Sequence, residues 1–114
     1  MDKDEMIMEN LNRHAAMWGA TFSELELQLY QLSVDSLATQ FDRINELSAM
    51  HDKIKMELIE GLRSIDDAML ECKRSGDKAW FIAKYKIIND YAIELILSFK
   101  QAVDRVWFSS KKLA

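Results

Sequence analysis

The chain has 114 residues, 49% of them hydrophobic and 30% charged, with a formal net charge of -4 and no proline. That length holds one modest domain and excludes a catalytic domain joined to a second one. Acidic and basic residues are interleaved without a basic stripe, which argues against nucleic acid as a partner, and no apolar run is long enough for a transmembrane segment.

With only three glycines, the chain lacks the punctuation of hairpins and strands. The expected fold class is all-α, with long amphipathic helices in an antiparallel coiled-coil hairpin or helical bundle that assembles into an oligomer.

Residues 1–20 read as an amphipathic N-terminal arm or short helix, in which Met6, Ile7, Leu11, Met17 and Trp18 precede Gly19. The acidic start, Met1-Asp2-Lys3-Asp4-Glu5, is opposite in charge to a secretory leader, so a cytoplasmic location is expected.

Thr21-Phe22-Ser23-Glu24 has the form of a capping box, and a long helix is predicted from about 21 to 73. Apolar residues recur along it every three or four positions, and His51 and Cys72 fall on the same stripe. Unbroken, such a helix would span roughly 80 Å at 1.5 Å per residue, a length that needs a partner. Ser33 to Thr39 and Gly61 are its weak points, and a bend near Ser36 or Gly61 would divide it. Trp18, Phe22, Leu25, Leu29 and Leu32 are candidate contacts for an apolar surface. Glu26, Asp35, Asp42, Glu46, Lys53, Glu57, Glu60, Arg63, Asp66 and Asp67 are candidates for the wet face.

The clearest turn is at 74–77, where Gly76 suits a left-handed C-terminal cap and Asp77 can cap the next helix. That helix is predicted over about 78–108, within a helical coiled-coil domain spanning 21–114. Along it Phe81, Tyr85, Ile88, Ala92, Leu95, Phe99, Ala102 and Val106 advance alternately by four and three residues, forming the expected association seam. Its other flank carries Trp80, Ile87, Tyr91 and Leu97, more apolar surface than a two-stranded seam requires. Trp80, Ile87 and Tyr91 therefore join the candidate contacts to an apolar surface.

No reactive constellation is visible. His14 and His51 lack the preceding glutamates of a di-iron bundle, and with the lone Cys72 they are too scattered for a zinc site. Arg43 and His51 stand further apart than the arginine–histidine pair of HEPN-type ribonucleases. There is no phosphate loop or serine elbow. The chain is expected to be no enzyme and to use no metal or cofactor, with Cys72 acting as a small core hydrophobe.

The stretch from Cys72-Lys73-Arg74-Ser75-Gly76-Asp77 through Trp80-Phe81 and Tyr85 to Tyr91-Ala92-Ile93-Glu94-Leu95 resembles the phasin family, whose members coat polyhydroxyalkanoate granules. The likeness is one of layout, over about residues 20–108: a long helix, a short break holding an aspartate, then a second helix with apolar and aromatic-alanine steps. Lys84, Ile87 and Ile88 stand where phasins often have glutamine and alanine, and the alanine-rich tail of the family is missing. The resemblance implies a non-enzymatic, granule-associated coat of amphipathic helices. The alternative is a coiled-coil scaffold, adaptor or chaperone that binds a helical protein partner. Both readings expect a homo-oligomer.

Overall fold

The computed structural model describes residues 3–35 and 40–112. They form three helices, α1 (Lys3–Asp35), α2 (Phe41–Ser75) and α3 (Lys78–Lys112), packed into a rod of 57 × 20 × 17 Å. The all-α expectation holds.

The helices run up, down and up. Met8 meets Cys72 and Glu26 meets His51, so α1 and α2 are antiparallel. Trp18 on α1 reaches Asn89 on α3, and Phe22 lies against Phe99, so α1 and α3 run in the same direction.

Two expected boundaries need correction. Thr21 does not begin a helix: it lies exposed in the middle of α1, which continues from Lys3 through Gly19 and Ala20. The 1–20 segment is therefore no separate arm. The single helix over 21–73 is replaced by α1 and α2. Their division falls at the weak Ser33–Thr39 stretch, of which 36–39 lie outside the described residues; Gly61 lies inside an unbroken α2. A glycine costs about 1 kcal/mol against alanine in a helix interior, which packing along a 33-residue helix can offset at Gly19.

The turn expected at 74–77 forms but is confined to 76–77, because α2 runs on to Ser75. Gly76 adopts φ 79° and its N–H donates to the Cys72 carbonyl at 2.7 Å, closing α2 beside Lys73 and Arg74. The Trp80 N–H donates to Asp77 Oδ1 at 3.0 Å, so Asp77 caps α3.

The core is one continuous cluster fed by all three helices, with Phe81, Phe99, Ile65 and Val103 almost wholly removed from water. On α3 it takes in Ile96 and Val103 as well as the seam, because a helix packed against two neighbours needs a wider stripe than one packed against a single partner. At Gly61 the packing is close: a Cβ there would stand 3.2 Å from Trp18 Cζ3 and 3.4 Å from Ile88 Cγ2.

Candidate functional site

The association seam is satisfied inside the chain. Phe81, Tyr85, Ala92, Phe99 and Val106 are buried, while Ile88, Leu95 and Ala102 are half-buried against the core. It joins α3 to α1 and α2.

The candidate surface contacts divide in two. Trp18, Phe22, Leu25, Leu29 and Leu32 are all buried, which corrects their reading as an outward apolar face: α1 turns that stripe to the core. Trp80, Ile87 and Tyr91 are exposed, by 37%, 73% and 51%. They lie on the flank of α3 beside α2, together with Lys84, whose Nζ stands 5.5 Å from the Trp80 ring centroid.

Glu57 sits opposite Tyr91. The Tyr91 hydroxyl is held above the ordinary tyrosine range, first by its hydrogen-bonding approach to the Glu57 carboxylate, with the charges of Glu57 and Glu94 adding to the effect. Glu57 Oε2 is itself buried and has no hydrogen-bond partner among the described residues. Of the wet-face candidates, Asp42, Glu46, Lys53, Glu60, Arg63, Asp66 and Asp67 are exposed, whereas Glu26 and Glu57 are half-buried. The Asp35 side chain lies outside the described residues.

His51 links the first two helices. Its Nε2 lies 2.7 Å from Glu26 Oε2 and its Nδ1 lies 3.0 Å from Asp52 Oδ1, while the ring stacks on Phe22 at a centroid distance of 5.0 Å. A neutral imidazole has one N–H and can donate to only one carboxylate, whereas the imidazolium donates to both. The His51 ring centroid also lies 6.0 Å from that of Phe99 on α3, so the histidine touches all three helices.

Elsewhere the polar chemistry serves packing. Asn89 Oδ1 accepts from Trp18 Nε1 at 3.0 Å and from the Tyr85 hydroxyl at 3.3 Å. Cys72 is buried, its Sγ 3.9 Å from Met8 Sδ. No group of three or more His, Cys, Asp or Glu among the described residues could hold a metal ion. No described helix is long and apolar enough to cross a membrane. Two open grooves mark the ends of the rod. One, of about 540 Å³, lies between Arg43 and Leu47 of α2 and Arg105 and Ser109 of α3. The other, of about 670 Å³, lies between Glu5 and Met8 of α1 and Met69 and Lys78.

The sequence reading missed Asn89 and the acidic neighbours of the Trp80–Tyr91 flank. Glu57, Glu60, Asp67 and Glu71 share one stripe of α2, legible in their helical spacing, but their position beside Tyr91 needs the fold. No family model, curated protein or solved structure matches the chain.

Proposed function

We propose that this chain is a non-enzymatic binding module, a closed three-helix bundle that offers a second set of apolar side chains on its outside to a helical protein partner. The observation that carries this reading is the exposure of Trp80, Ile87 and Tyr91 along one flank of α3, while the long seam on the next face is already covered. Aromatic and large aliphatic side chains at helical spacing are the usual anchors of helix recognition. The interior polar groups, Asn89 and His51 among them, are taken up in holding helices together.

The phasin-like coat is the second reading. The same three exposed residues favour it, because a polyester surface rewards apolar burial at roughly 25 cal/mol per Å². Its other contacts, Trp18 to Leu32, reach such a surface only if the bundle opens. Co-sedimentation with polyhydroxybutyrate particles separates the two. In a Trp80→Phe, Trp107→Phe background, acrylamide quenching reports on Trp18 alone. The binding-module reading expects the protein to stay in solution with Trp18 shielded. Saturable sedimentation accompanied by quenchable Trp18 would replace it with the coat.

A further inference from the structure

The outer face shared by α2 and α3 combines two stripes of different chemistry. On α3, Trp80, Lys84, Ile87, Tyr91 and Glu94 advance by four and three residues. On α2, Lys53, Glu57, Glu60, Ser64, Asp67 and Glu71 advance in the same way. A Cβ at Gly61 of α2 would stand 3.4 Å from Ile88 Cγ2 of α3, and Glu57 and Tyr91 lie one turn from these positions, which sets the two stripes side by side. The result is an aromatic and aliphatic ridge edged with carboxylates.

We propose that this face binds a basic amphipathic helix, which lays its apolar side on Trp80, Ile87 and Tyr91 and turns a row of Lys or Arg toward α2. The inference rests on the binding-module reading and specifies its partner. Charge complementarity selects the occupant. The stripes hold five carboxylates and two lysines, and Lys84 stands over the Trp80 ring. Glu60 and Glu71 pair with Arg63 and Arg74 one helical turn away, but these pairs are exposed and such pairs are weak, so they yield readily to a partner's cations. The half-buried carboxylate of Glu57 stands at the border of the ridge beside Tyr91, where an incoming Lys or Arg can pair with it. A second copy of this chain suits the face poorly, since it carries 19 acidic and 15 basic residues. An anionic lipid surface would be repelled by the α2 stripe.

The test uses two synthetic 18-residue helices of identical apolar face, one built from Leu and Lys and the other from Leu and Glu. Each is titrated into the 15N-labelled full chain while amide shifts are followed. The Leu/Lys helix is expected to bind, with shifts centred on residues 57–71 and 80–94, and the Leu/Glu helix to bind at least about tenfold more weakly. Ile87→Asp and Glu57→Gln, both checked for unchanged helicity by circular dichroism, are each expected to weaken the Leu/Lys complex by about tenfold. Equal binding of the two helices on this face would overturn the basic partner and leave the module reading intact. Binding mapped to another face, or unaffected by both variants, would overturn the site. If neither helix bound, the module reading itself would fall.

Discussion

Asn89 shows how much one polar side chain settles in this bundle. Its single oxygen accepts from Trp18 on α1 and from Tyr85 on its own helix, one turn away, so it fixes how α1 sits on α3. Asn89→Ala leaves the indole N–H and the phenol without that acceptor, and it is expected to destabilise the fold by about 1–3 kcal/mol, read as a lower urea midpoint. Tyr85 gives the pH dependence. Burial raises its hydroxyl above the ordinary tyrosine range. The folded chain thus keeps this proton to higher pH than the unfolded chain does. Stability is unaffected below the unfolded value, about 10, and falls as pH rises through the folded one. The urea midpoint should drop between pH 9 and pH 11, and Tyr85→Phe should flatten that drop. A slope unchanged in the variant would assign the loss to other groups. At this scale the sequence was informative about Cys72, a core thiol as read, and about His51, a stripe residue as read. It was silent on Asn89, because a polar residue beside an apolar stripe looks like any solvated flank until the third helix is placed.

Among the elements, the two capping residues of the turn between α2 and α3 were legible, although α2 runs two residues further than expected, and the start of α1 was not. The reason is the kind of signal each carries. A left-handed glycine followed by a capping aspartate is a local requirement, met at Gly76 and Asp77 whatever surrounds them. The capping box at Thr21 is only an option, and the chain declines it because Ala15, Trp18, Phe22 and Leu25 must stay on one continuous face to reach the core. Gly76→Ala puts a Cβ on a left-handed residue and is expected to cost about 1–2 kcal/mol in thermal or urea unfolding. Gly19→Ala is expected to raise stability by up to about 1 kcal/mol, since a Cβ there meets nothing within 4 Å and α1 is helical on both sides. If Gly19→Ala destabilised the chain, the continuity of α1 through that position would be in doubt.

For the whole molecule, periodicity revealed the stripe on α3 and could not reveal whose helices cover it. A four-three repeat demands neighbours and does not say whether they belong to another chain. Two reversals of direction, after Asp35 and at Gly76, supply them from within. The exposed part of the candidate site, Trp80, Ile87 and Tyr91, was therefore visible as a flank, whereas its acidic border on α2 needed the antiparallel register. Leu95→Glu distinguishes an internal seam from an external one. Placed half-buried against the core, the new carboxylate is expected to lower the melting temperature sharply, by about the several kcal/mol that an uncompensated buried charge costs. Loss of an oligomer with the melting temperature retained would return the seam to an interface between chains.

The up-down-up order also fixes how the rod meets a load. With an odd number of helices, Lys3 lies at the Gly76 end and Lys112 at the Arg43 end, with the 57 Å long axis between them. Tension applied through these two points runs along the helices. It must slide α1 and α3 lengthwise past α2 rather than peel them away one at a time. Many side-chain contacts then break together, so the bundle is built to resist pulling along its length better than prising from the side.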